Sequence, residues 1–445
     1  MDSADDIQIK TISDVKLKLG QDASIGSAIV QEKLVDQTEV QDEPEFREGG
    51  TQAWLTVLGG WFAVFATFGY ANAFGIYQDL YTRQGAASAS RISWVGSTQI
   101  FFLIASGLPA GKLFDMGYCR ETALFGSLLY VFSMFMLSLA HPDKYYQIFL
   151  CQGVGMGIGA GFLYLPAMAI QSHHWNKKRP LAMGIVISGS STGGIVYPIM
   201  LNQLVHGSVG FAWGVRASAF LTLGVVVLAN IFMIPRPPKA KPHNKPRIGQ
   251  LFLDFPYVLL IIGAILVMLG LFFPYFYLQL YAIVHGVDST LAFYSLAIMN
   301  GSSILGRILP NLLAQKIGLY NTFVPISFCT GALIFALYGV KNAGGTVVIA
   351  VIYGFFSGAW LAVSAPTAAS MAKDPSEVGV RMGLAFAIAA FGALIGAPID
   401  GKLLGEAPFD WSSTFLFSGV IVLGGSAVLL VARFMVARRK GISRV

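Results

Sequence analysis

A few residues that prefer water lie inside the long apolar runs of this 445-residue chain, and they are where chemistry would be done. Arg307 sits deep in an apolar run at 290–314. A charge held in hydrocarbon costs roughly 2.5–3.5 kcal/mol on insertion scales, so this guanidinium must face protein or a water-filled cavity. Two readings stay open for it: a partner for a carboxylate or other anion, or a structural bond to the loop near Gly318. Asp400, near the end of the run 379–404, is a candidate proton-coupling carboxylate. It lies within about one to two turns of the exit loop, so the expectation is that it snorkels to water. Arg216 is expected to behave the same way. Asn72 and Asn300 fall near the middle of their runs, where an uncharged polar group bridges helices or lines a cavity. Tyr275, in the aromatic stretch Phe272-Phe273-Pro274-Tyr275-Phe276-Tyr277, and Tyr164, two residues before Pro166, complete the candidate substrate-binding set. Pro274 is expected to break its helix.

No enzyme constellation emerges beside these. Cys119, Cys151 and Cys329 are far apart and give no metal spacing or disulfide framework. His173-His174 is a single adjacent pair, so no metal site and no cofactor are expected. The run Gly153-x-Gly155-x-Gly157-x-Gly159-x-Gly161 imitates a dinucleotide loop, but it sits inside an apolar helix. Gly153, Gly157 and Gly161 fall on one face, which points to close helix packing.

The elements that hold these residues are membrane helices. The chain is 55% hydrophobic and 12% charged, against about 25% charged for soluble proteins. Its mean hydropathy is +0.64. Apolar runs span roughly 54–78, 92–114, 120–140, 145–171, 179–205, 212–234, 255–284, 290–314, 320–340, 345–372, 379–404 and 411–437. Runs of this length cross a bilayer as helices, which satisfy their own backbone. The expected fold is therefore an all-α membrane protein of 12 transmembrane helices in two pseudo-symmetric six-helix halves. Residues 1–53 read as a disordered acidic tail, 54–234 and 255–437 as the halves, 235–254 as a basic Pro-rich linker, and 438–445 as a basic tail. With no secretory signal, the run near Trp54 is expected to direct insertion. Of the 30 Lys and Arg, 24 fall on the side of the termini and 6 on the other, which puts both termini in the cytosol. The net charge of +7 then reflects basic loops beside anionic lipid, not nucleic-acid binding. Trp54, Trp94, Trp175, Trp213 and Trp411 lie at run ends, where an aromatic belt is expected.

The turn between the second and third runs has the spacing Gly111-x-x-x-Asp115-x-Gly117-x-x-Arg120. Two glycines allow a tight turn. Asp115 is placed to accept hydrogen bonds from a facing helix N-terminus. Pro109 and Pro310, Pro166 and Pro366, and Gly184 and Gly383 repeat at offsets of 201, 200 and 199, so the chain reads as two copies of one unit. In carriers built this way the substrate site lies near the midplane between halves.

The stretch from Gly111 to Arg120 resembles the signature loop of the major facilitator superfamily, with Tyr118 or Cys119 where a second basic residue stands in the family. Trp175-x-Lys177-Lys178-Arg179-x-Leu181-Ala182-x-Gly184, the entry Gly49-Gly50-x-x-Ala53-Trp54 and Asn300-Gly-Ser-Ser-x-x-Gly306-Arg307-x-x-Pro310 resemble the fungal members of its monocarboxylate-transporter-like branch. The likeness runs from residue 49 to about 437. It implies alternating access, with Gly111, Asp115, Gly117, Arg120, Lys177, Lys178 and Arg179 as gating or latch residues. This sequence departs from the animal carriers at two places. Asn72 stands where they place a lysine, and Ser303-x-x-x-Arg307 replaces their Asp-x-x-x-Arg pair. Proton dependence through the animal-type residues is therefore expected to be weak or absent.

The expected function is secondary-active transport of a small organic solute, first a monocarboxylate or related metabolite. An exporter of a secondary metabolite, or a carrier of a riboflavin-like vitamin, is the alternative. A non-transporting nutrient sensor ranks behind both. The expected partners are the lipid bilayer, a small-molecule substrate and a coupled proton. The plasma membrane is the expected location, ahead of a vacuolar or other organelle membrane.

Overall fold

The computed structural model describes residues 48–85, 87, 89–205, 207–236, 248–372, 377–405 and 409–445. The acidic tail up to residue 47 and positions 237–247 of the linker lie outside the described residues. Everything described from Glu48 to Val445 is one compact helical unit with no strand.

Among the described residues, eleven segments are long and apolar enough to cross a membrane: α1 (Thr51–Thr82), α2 (Arg91–Asp115), α3 (Cys119–Leu139), α4 (Tyr145–His174), α5 (Arg179–Val205), α6 (Gly210–Phe232), α7 (Phe255–Val284), α9 (Leu319–Tyr338), α10 (Ala343–Ala369), α11 (Val378–Leu404) and α12 (Trp411–Lys440). Between α7 and α9 runs α8 (Ser289–Ile317), 29 residues long. It falls short on apolarity because Asn300, Ser302, Ser303, Arg307 and Asn311 are strung along it. The helix that falls short is thus the one that carries Arg307. Several boundaries differ from the sequence reading: α1 begins at Thr51, α4 ends at His174, α8 ends at Ile317, and α12 continues to Lys440.

The first and second halves meet along two seams, α2 against α11 and α5 against α8. Within the first half, α5 packs on α1 and α4 on α2 and α3. Small residues let these backbones touch, as membrane helices require where burial alone supplies no drive. A Cβ on Gly69 of α1 would stand 2.6 Å from the Gly193 Cα of α5. One on Gly157 or Gly161 would stand 2.9 or 2.7 Å from carbonyl oxygens of α2.

Several helices are interrupted at the level of the candidate residues. α1 breaks at Asn72-Ala73, between helical stretches Thr51–Ala71 and Phe74–Arg83. α7 breaks at Phe272, two residues before Pro274, between Phe255–Leu271 and Phe273–Val284. Proline lacks the N–H that would continue the ladder. The breaks fall at matching places in the two halves. α4 is π-helical over Phe149–Met156, a stretch that includes Gly153, the first residue of its glycine face.

At the end of the bundle where α1 begins and α12 ends, here called the terminal end, Asp254 pairs with Arg381 at 3.0 Å and with Arg439 at 2.8 Å. Arg381 also pairs with Glu377 at 3.0 Å. Both Arg381 and Asp254 are buried, so this tie among α7, α11 and α12 is an internal part of the second half. Trp175, assigned to the aromatic belt by its position, is instead buried against Trp54 with ring centroids 5.1 Å apart. Of the other belt residues, Trp54, Trp94 and Trp213 are exposed and Trp411 is half-buried.

Candidate transport site

Arg307 projects from α8 across the α5–α8 seam and is 3% exposed. Its Nη1 donates to the Ile187 carbonyl at 2.7 Å and to Ser190 Oγ, both on α5. Its Nε has no partner, and among the described residues no carboxylate forms an ion pair with it. The expected alternative, a bond to the loop near Gly318, does not form. Eleven residues of helix separate them, about 16 Å at 1.5 Å per residue, which is beyond the reach of the side chain. The guanidinium lies in a chamber of about 30 Å³ together with Tyr164, Ser190, Ser364, Phe68 and Phe386. It is a buried cation with a spare donor and no counter-charge.

Above this chamber, toward the end remote from the termini, lie two adjoining cavities of about 420 and 370 Å³ that share Asn72, Gly75, Gln279 and Leu296. Together they form a vestibule between α1, α2, α5, α7 and α8. Among the described side chains, no charged one lines it. The polar contributors are amides and hydroxyls such as Asn72, Gln78, Ser97 and Gln279, and the wall is Phe272, Tyr275, Phe276 and Tyr277. The break before Pro274 turns this aromatic stretch inward. Tyr275 Oη sits 3.1 Å from Ser357 Oγ of α10.

Asn72 and Asn300 converge on α5 from opposite halves. Asn72 Nδ2 donates to the Ser190 carbonyl at 3.4 Å, and Asn300 Nδ2 donates to the Gly194 carbonyl at 3.5 Å. Pro198 explains the second contact, because it has no N–H to offer the carbonyl four residues before it. A Cβ on Gly194 would stand 2.8 Å from both Asn72 Nδ2 and Asn300 Oδ1, so only glycine leaves room there. Asn300 is fully buried and its Oδ1 has no partner. It lies behind Gly194 and does not line the vestibule; Asn72 does. Ser303, where the animal carriers have aspartate, lies 2.6 Å from Ser191 Oγ across the same seam.

Asp400 corrects the expectation of snorkelling. It is 1% exposed and accepts a 2.6 Å hydrogen bond from Ser418 Oγ of α12. α11 runs on to Leu404, so α12 covers the carboxyl where a frayed end would have released it. Lys402 points outward and does not pair with it. Arg216 lies over the Trp213 ring at 4.9 Å and donates to Ser138 Oγ at 3.4 Å.

The turn residues assemble away from the cavities, at the terminal end of the α2–α11 seam. Asp115 accepts from the backbone N–H of Gly379 at 3.1 Å and of Val380 at 2.7 Å, the first turn of α11. Unsatisfied N–H groups and the helix dipole both favour an anion there. A Cβ on Gly111 would overlap the Gly379 backbone, and Gly117 has φ 94°, which suits glycine alone. Arg120, Lys177 and Lys178 are exposed, and the Lys178 N–H donates to Glu48 at 2.6 Å. Arg179 opens α5 and is half-buried. Phe68, Ser190, Ser364 and the Asp254–Arg381 pair were not among the sequence candidates. Only the Arg381 charge was visible, as one of many basic residues on the terminal side.

A cross-seam cation beneath an aromatic vestibule, inside a bundle of paired halves, defines a solute carrier. Residues 54–373 match the Major Facilitator Superfamily, and the chain belongs to that family: it is a multi-pass integral membrane transporter. It is 37% identical over 415 residues to the aspyridones efflux protein apdF of Emericella nidulans, covering 91% of this chain and 84% of that one. It is 38% identical over 397 residues to the agnestins efflux protein AgnL12 of Paecilomyces divaricatus (88% and 90% covered). It is 35% identical over 436 residues to the fujikurins efflux protein of Gibberella fujikuroi (97% and 92% covered). Among solved structures, the transporter FucP in its outward conformation superposes with a TM-score of 0.64 at 15% identity, covering 85% of this chain and 98% of that one.

Proposed function

We propose that this chain exports an acidic secondary metabolite from a fungal cell by alternating access, most simply across the plasma membrane. The observation that carries the reading is Arg307. It is buried, hydrogen-bonded across the seam between halves, unpaired with any acid among the described residues, and roofed by a vestibule walled by aromatic rings and amides. A site of this kind favours a ligand with one anionic group and a large apolar body. That supports the secondary-metabolite reading over the monocarboxylate carrier ranked first by sequence, whose substrates would leave the aromatic vestibule idle. The names of three relatives as efflux proteins support the same direction.

Asp400 is our candidate for the coupled proton. Its carboxyl is enclosed and held by one hydroxyl, and Tyr277 of α7 and Tyr353 of α10 are the titratable groups that interact with it. The deciding experiment is deletion of the gene in its host, followed by comparison of intracellular and medium metabolites. Accumulation of an acidic metabolite inside the cell is expected, with recovery by the intact gene and not by Arg307→Gln. Depletion inside would make the chain an importer.

A further inference from the structure

The vestibule and the Arg307 chamber are distinct spaces that meet at Phe68. It lines both spaces. Its ring meets Tyr164 edge-on, with centroids 5.3 Å apart. On α2, Ile100 lines the vestibule and Ile104 lines the chamber, so the partition is about one helical turn thick. One turn beyond Phe68, α1 breaks at Asn72-Ala73, which frees its outer stretch from rigid continuity with the ring.

The volumes decide what this partition means. About 30 Å³ holds one or two waters, whereas the neighbouring space has about 420 Å³. A ligand that touches Arg307 must therefore place its body where the Phe68 ring now stands. An aromatic or otherwise planar body can replace that ring against Tyr164 and Phe386, exchanging one apolar contact for another. A small hydrated anion offers no such exchange and would leave the aromatic faces uncovered.

We propose that Phe68 is a selectivity septum that splits the transport path into an aromatic, amide-lined vestibule and the Arg307 chamber, and that only a planar apolar body bearing one acidic group displaces it. The proposal rests on the transport reading above and names the feature that selects its substrate.

The test reads water connectivity and not export, so the two readings can fail separately. In a protein with Cys119, Cys151 and Cys329 replaced by alanine, Ser364→Cys reports the chamber and Gln78→Cys the vestibule. An impermeant thiol reagent is applied to the side from which Gln78→Cys is modified. With Phe68 present, Ser364→Cys should react slowly; Phe68→Ala and the milder Phe68→Leu should each raise its rate about tenfold or more, as when a rare open state becomes the resident one. Gln78→Cys should react equally in all three backgrounds, and Phe68→Trp should keep the chamber slow. Fast modification of Ser364→Cys with Phe68 intact, or an unchanged slow rate in both Phe68→Ala and Phe68→Leu, overturns the septum. Either result leaves export to be decided by the deletion experiment alone.

Discussion

At the scale of single residues, the contrast is between Arg307 and Asp400, two buried charges treated differently by their surroundings. Arg307 keeps one donor unused and bonds only neutral oxygens, so it is short of an anion. A hydrogen bond to a charged group contributes about 1.5–3 kcal/mol, so Arg307→Gln should lower export of an acidic substrate by at least about tenfold. Arg307→Lys should recover little, because an ammonium cannot reach Ile187, Ser190 and a ligand with one planar fork. Concentration series in vesicles would separate lost affinity from lost turnover. Asp400→Asn keeps the shape and the Ser418 contact while removing the proton-binding group. It should leave protein abundance unchanged and abolish the response of transport to an imposed pH gradient. A gradient response that survives this substitution would remove Asp400 from the coupling.

At the scale of elements, two helix contacts are open to measurement. The Asp115 carboxylate accepts from the first turn of α11 across the terminal end of the α2–α11 seam. An anion at a helix N-terminus contributes about 0.3–1 kcal/mol, and up to about 2 when partly buried. Asp115→Asn should therefore change the transport rate several-fold and the substrate affinity little. The reverse pattern would put this turn in the substrate path. The second contact is the proline-freed Gly194 carbonyl, met by Asn300 from the other half. Leaving such a carbonyl unsatisfied costs about 1–3 kcal/mol, which should lower the unfolding temperature of Asn300→Leu in detergent. Adding Pro198→Ala restores an N–H within α5 and should recover part of the loss. Equal loss in single and double variants would show that the carbonyl is not what Asn300 supports.

At the scale of the whole molecule, the closed contacts gather at the terminal end and the cavities at the other. The structure thus presents a path open to the far side. We expect the terminal end to face the cytosol, given the excess of Lys and Arg there. A protease site added at either end should be cut only after the cells are permeabilised. Cutting in intact cells would invert the orientation, and with it the assignment of the vestibule as the exit.

Long apolar runs and sparse charge were enough to define a helical membrane protein, because hydrocarbon leaves the backbone so few solutions. Proline and glycine positions located the break in α7 and the packing face of α4, since both effects act within a turn or two of the residue. Lys and Arg statistics set an expected orientation for the same local reason. Partnership is what required the tertiary structure. Whether Arg307 met an acid, a loop or a carbonyl depended on α5, which lies more than a hundred residues away in the chain. Asp400 is buried because α12 folds over it, and no property of its own run shows that. Phe68 looked like one more apolar residue among 33 phenylalanines until two cavities met at its ring.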